Sequence, residues 1–224
     1  MQRVLAFLCT MVVASLLAVL LASLPHAWGK PNIILILADD MEASYKLDYL
    51  SLMPNVRTRL REQGVFMANH VAAQPLCGPS RASLLAGRYP HNTHYVDNDD
   101  LKSIAAWKLQ QGNTIGTWLT TAGYHTAYLG KYINGLEEAV PRGWNYWGGF
   151  RGIIGTYNYY NSTPYNVTFD DSGETPVSPV AWTAMTGVHQ ADFLGTTAVH
   201  QMQIGVAKGR PFYVHVNPTM IHYG

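Results

Sequence analysis

The order of apolar runs along this chain predicts an α/β fold, with a mostly parallel sheet flanked by helices. Three observations carry that expectation. Short continuous apolar runs alternate with stretches of helical spacing. Glycine and proline punctuate the joins between them. Polar residues collect just beyond the ends of the apolar runs, where open α/β sheets place their ligands.

Taken in order, residues 32–37 (NIILIL) follow Pro31 and read as a buried central strand, because a strand covered on both faces needs no polar alternation. The run stops at Asp39-Asp40. Residues 54–63 read as a helix, with Pro54 in the first turn, Val56 and Leu60 on one face and Gly64 at the end. A return strand is expected over 65–71. Pro79 presets a helical first turn that Ala82, Leu84, Leu85 and Ala86 continue, so Cys77 is placed at a helix N-terminus. Thr114 caps a helix carrying Ile115, Trp118 and Leu119, closed by Gly123 and followed by a strand over 124–129 and by Gly130-Lys131. Residues 143–171, rich in Trp, Tyr, Asn and Gly, read as a long surface excursion. Val188, Ala191, Leu194, Ala198, Met202 and Val206 recur at helical spacing, Gly209 ends that helix, and a strand over 212–216 delivers 217–222.

Residues 1–29 read as a signal peptide: Arg3, an uncharged run over 4–24, then the small-x-small site Ala27-Trp28-Gly29. An uncleaved anchor is the rival reading of the same run. The remainder, about 195 residues, suits one domain. Net charge is +1 and no basic run occurs, so no nucleic-acid partner is expected. Of the two cysteines, Cys9 leaves with the leader and Cys77 stands alone. By itself a lone cysteine reads equally well as a small buried apolar residue. The sequons Asn161-Ser162-Thr163 and Asn166-Val167-Thr168 fit a secreted glycoprotein.

Each polar strand end has an ordinary reading too: an Asp pair caps or turns, and a single Lys or His is usually solvated or structural. The segment around Cys77 changes that balance. Cys77-Gly78-Pro79-Ser80-Arg81 with Leu84-Leu85-Ala86-Gly87-Arg88 resembles the sulfatase signature, in which the cysteine is oxidised to formylglycine. The resemblance extends over residues 30–224: Lys30-Pro31-Asn32 through Asp40, the Gly-Lys segment Ala122 to Tyr132, Pro141-Arg142-Gly143-Trp144, and Gly209-Arg210-Pro211-Phe212-Tyr213 leading to His222. In style it is similar to algal arylsulfatases and N-acetylglucosamine-6-sulfatases.

What the resemblance implies is an alkaline-phosphatase-like core and a sulfuric ester hydrolase acting on aryl or carbohydrate sulfates. Asp39 and Asp40 would bind Ca²⁺ together with an oxygen at position 77. Arg81 would stabilise the formylglycine hydrate, while Lys131 and His222 would contact sulfate and assist the leaving group. A formylglycine-generating enzyme would be a maturation partner, and the location would be extracellular, cell wall or lysosome-like, with no stable membrane association after leader removal. Two departures stand out. Ile133 and Asn134 follow Lys131 where many sulfatases carry a histidine, so the base for sulfate release stays open; His91, His94 and His125 read as pocket lining or structural. The chain also reaches Gly224 two residues after His222, and is expected to be an N-terminal portion of a catalytic domain, inactive alone. Two alternatives remain: a phosphonate or phosphate monoester hydrolase of the same superfamily, and a secreted, catalytically inactive sulfatase-like protein.

Overall fold

The architecture is that of a computed structural model, which describes residues 29–41, 49–152, 159–160, 162–178, 181–220 and 222. The chain divides into two units, Met1–Pro31 and Asn32–Gly224, and the expected leader lies almost wholly outside the described residues. Among its described residues the second unit holds six strands, β1 (Ile33–Ile36), β2 (His125–Gly130), β3 (Tyr146–Gly149), β4 (Tyr165–Thr168), β5 (Ala181–Trp182) and β6 (Phe212–Asn217). They form one sheet in the order β1-β6-β2-β3-β4-β5. The first four in that order are parallel and the last two antiparallel, so the mostly parallel α/β sheet is present. Its four helices of seven residues or more, among those described, are α1 (Cys77–Ala86), α2 (Leu101–Lys108), α3 (Ile115–Thr121) and α4 (Gln190–Ala207).

Register explains the two layers. Leu35, His215, Tyr128, Trp147 and Val167 pair in turn across five strands, so their side chains form one row on one face. Tyr128 stacks on Trp147 with ring centroids 4.6 Å apart, an aromatic contact contributing about 0.5–1.5 kcal/mol beyond burial. Ala82, Leu85 and Ala86 of α1 and Trp107 of α2 join this face in one core. On the opposite face Ala127, Leu129, Val214 and Val216 pack with Leu194 and Ala198 of α4.

Four expectations need correction. β1 is an edge strand whose Ile34 and Ile36 are half-exposed, because they point to the α4 side of the sheet while α4 packs on β6 and β2. Residues 65–71 form no strand, and with no neighbouring strand to pair with, Val65, Phe66, Met67 and Val71 stand exposed. The helix expected over 54–63 is a short α-turn, Pro54–Val56, running into a π-helical stretch, Arg57–Arg61, with no buried residue in either. Finally, 143–171 is not an excursion throughout: Tyr146–Gly149 and Tyr165–Thr168 are strands and Trp144 and Trp147 are fully buried, so aromatic burial there outweighs the turn-like composition.

Candidate active site

Helix α1 sets residue 77. Leu76 is extended (φ −146°, ψ 130°), the helix starts at Cys77, and Gly87 closes it in the left-handed region at φ 61°. Most of the helix is buried, including Arg81. Cys77 therefore sits at an N-terminal pole, where the helix dipole favours an anion.

The other residues arrive on strand ends. Gly130 ends β2 at φ 91°, and a Cβ there would lie 2.1 Å from the Asn217 carbonyl oxygen, so only glycine allows β2 and β6 to approach this closely. The Lys131 amide then donates to that carbonyl (2.9 Å). The Asp39 amide donates to Met220 O (3.3 Å), tying the turn after β1 to the turn after β6. Asp40 adopts φ 54°, a left-handed conformation that Asp tolerates better than most residues.

These segments converge on one point. Asp39 is buried, with Arg81 Nη2 donating to Oδ1 at 3.1 Å and Lys131 Nζ to Oδ2 at 2.6 Å. Arg81 Nη1 also donates to Asn217 Oδ1 (3.1 Å) and to the Lys131 carbonyl (3.2 Å), which the Tyr128 hydroxyl reaches at 2.7 Å. His222 Nε2 lies 3.4 Å from Asp40 Oδ2, and Cys77 Sγ 4.0 Å from Asp40 Oδ1. All six residues singled out in the sequence thus share one site at the carboxyl edge of the sheet.

Sequence reading missed the supporting groups. Asn217 ties Arg81 to the β2 backbone, its amide donating to Leu129 O at 3.1 Å. Gln190 and Thr219, both buried, hold the turn after β6: Gln190 Nε2 donates to Thr219 Oγ1 (2.7 Å), and the Thr219 amide to Gln190 Oε1 (2.9 Å). Tyr159 donates its hydroxyl to the His222 carbonyl. Asn217 ends β6 level with Gly130, a pairing that the sequence alone does not show. His125, by contrast, lies at the opposite end of β2, buried and paired with Gln201, and burial lowers its pKa; it is structural. Beneath the site His215 is fully buried, and burial first, then the Arg81 charge, push its pKa down to about 3, so it is neutral.

The donor set, a carboxylate oxygen, a thiol sulfur and an imidazole nitrogen, could hold a metal ion. A ligand atom from each of Asp39, Cys77 and His222 lies within 4.8 Å of the others, and Asp40 borders the same space. Each Asp39 oxygen already accepts one cationic donor but keeps a further lone pair. Carboxylate oxygens match Ca²⁺, whereas a thiol is a soft ligand; an oxygen at position 77 completes the match and sulfur does not.

Two buried cations and a buried carboxylate thus lie beyond the carboxyl ends of the strands, where open α/β sheets bind their ligands. The Sulfatase family profile matches residues 31–223, and the chain belongs to that family. An arylsulfatase of Volvox carteri is 28% identical over 99% of this chain and 32% of its own length. The human N-acetylglucosamine-6-sulfatase is 36% identical over 58% of this chain and 25% of its own. Among solved structures, a putative sulfatase from Bacteroides fragilis superposes with TM-score 0.64 at 16% identity, over 90% of this chain and 47% of that one. The fold is therefore the sulfatase core. The chain spans about a third or less of these curated relatives.

Proposed function

We propose that this protein hydrolyses sulfate monoesters at the carboxyl edge of its sheet, with residue 77 as nucleophile. The observation that supports the reading best is the convergence of Asp39, Asp40, Cys77, Arg81, Lys131 and His222 from four separate segments. Oxidised to formylglycine, residue 77 would supply a geminal diol: one hydroxyl to attack and a second from which to expel sulfate, which a thiol lacks. Asp39 and Asp40 would hold Ca²⁺, whose chemistry is to neutralise charge on sulfate, with further oxygen ligands from water or from outside the described residues.

The side chains of the chain itself have separable tasks. Arg81 and Lys131, fixed by Asp39, present immobile positive charge where negative charge grows in the transition state. His222, partly exposed and 3.4 Å from Asp40 Oδ2, is placed to give a proton to the departing alcohol.

Secretion belongs to the same reading: two of the similar proteins are an extracellular sulfatase homologue of Drosophila melanogaster and one of Caenorhabditis elegans. Asn166 and Thr168 of the second sequon project together from the exposed face of β4, open to a glycan. Asn161 and the leader lie outside the described residues. The reading also holds that residues 30–224 alone do not turn over, since Ca²⁺ takes roughly six to eight oxygen ligands and both Asp39 oxygens already accept from Arg81 and Lys131.

The deciding assay pairs an aryl sulfate with the matching aryl phosphate, with and without chelator, on this chain and on a longer form of the protein. Sulfate turnover by the longer form, abolished by chelation and restored by Ca²⁺, is expected. Faster phosphate turnover assigns the phosphomonoester reading instead, and no turnover of either by a correctly modified longer form assigns the inactive one.

A further inference from the structure

The start of α1 lacks the cap that such a helix normally provides for itself. Leu76, at the N-cap position, has no side-chain acceptor, and Pro79 has no amide to satisfy. The Ser80 amide closes the first turn on Leu76 O (3.0 Å). The Gly78 amide instead donates to Asn98 Oδ1 (2.9 Å), a side chain twenty residues further along.

The contact is tight on all sides. A Cβ on Gly78 would lie 2.4 Å from Tyr95 Cε1 and 2.5 Å from Asn98 Oδ1, so glycine is what lets this segment press against the helix start. Tyr95 is fully buried, and its hydroxyl donates to Asn134 O at 2.7 Å, three residues beyond Lys131. Burial, then the nearby carboxylates Glu137, Asp97 and Asp99, raise the pKa of that hydroxyl, so it stays a donor. The segment is itself anchored to α2: Asp100 accepts from the Lys102 and Ser103 amides, and the Val96 amide donates to Ser103 Oγ. One short loop therefore braces both the helix that carries residue 77 and the turn that carries Lys131.

We propose that Asn98 is a positioning residue for residue 77, capping α1 from outside in place of Leu76 and holding the reacting side chain against Asp40. Asn98 does not touch the reacting atoms; it acts through the Gly78 amide. This rests on the reading of residue 77 as the nucleophile, although the geometry it predicts can be measured without turnover. An Asn at this place offers a neutral acceptor, and an Asp offers the same oxygen with a charge that the helix N-terminus favours. A Leu or an Ala offers none.

The test is amide hydrogen exchange followed by NMR on the chain and on Asn98→Leu, Asn98→Ala and Asn98→Asp. Expected is an exchange rate at Gly78 at least tenfold faster in Asn98→Leu and Asn98→Ala, with Ala127 of β2 and Val214 of β6 unchanged, and restoration toward the parent rate in Asn98→Asp. In a form of the enzyme that turns over aryl sulfate, kcat falls in the first two variants with KM little changed. Gly78 exchange that stays at the parent rate in Asn98→Ala overturns the proposal, as does acceleration that is equal across the sheet. If the parent enzyme itself turns nothing over, the proposed function fails while the exchange result still decides this one.

Discussion

Asp39 and Asp40 are adjacent in sequence and unequal in energy. Asp39 is buried between Arg81 and Lys131, so Asp39→Asn leaves two buried cations without their counter-charge, a change that costs about 3–5 kcal/mol. Asp40 is half-exposed and pairs with His222, so Asp40→Asn costs under about 1 kcal/mol. Urea unfolding of the two variants should separate them by several kcal/mol, while both weaken Ca²⁺ binding; equal midpoints would remove Asp39 from the charge cluster. A second residue-scale expectation concerns His215. Its folded pKa, about 3, lies below the unfolded value of 6.5, so protons favour the unfolded chain. Its neutral form is no liability above pH 6.5, and stability falls as pH drops from there toward 3. Between pH 7 and 4.5, above the carboxylate range, His215→Phe should flatten the loss by about one proton's slope. An unchanged slope would show that His215 titrates freely in the folded protein. At the residue scale the six residues singled out in the sequence lie together. They were legible through the resemblance of the segments that carry them rather than from residue type, whereas Asn217, Gln190 and Thr219 act by holding other groups, and that depends on who stands opposite in space.

Elements were legible where the local pattern agreed with the packing. α1, α3, α4, β2 and β6 fall near the expected places because their caps, glycines and apolar spacing all point one way. The capping at α3 is a case in point, with the Thr114 amide donating to Thr117 Oγ1 at 3.0 Å and the Trp118 amide to Thr114 O at 3.0 Å. β1 was misread as central because an apolar run reports that a strand is hydrophobic, not how many neighbours it has. Residues 65–71 were misread because β-propensity yields no strand without an edge to pair with. The exposed face of β1 gives its own prediction. In this chain Ile34→Lys with Ile36→Thr should change unfolding free energy by no more than about 0.5 kcal/mol, as surface changes do, and reduce self-association in light scattering. A loss of several kcal/mol would mean that the face is packed.

At the scale of the whole molecule, the sheet's parallel order determines the site. With β1, β6 and β2 side by side and parallel, their carboxyl ends deliver Asp39-Asp40, Asn217 to His222, and Lys131 to one edge, and α1 brings residue 77 and Arg81 to the same place. The sequence order of these strands says nothing of that adjacency, since β6 lies between β1 and β2 although it comes last. Everything proposed about chemistry then turns on the state of residue 77, because only an aldehyde there gives a nucleophile with a route to expel sulfate. The measurement is the mass of the peptide containing residue 77, from protein isolated from its own secretory pathway and treated in parallel with a hydrazide and with a thiol-alkylating agent. An aldehyde that takes the hydrazide and resists alkylation is the predicted result; a thiol at Cys77 that alkylates fully, with no hydrazide adduct, contradicts the account.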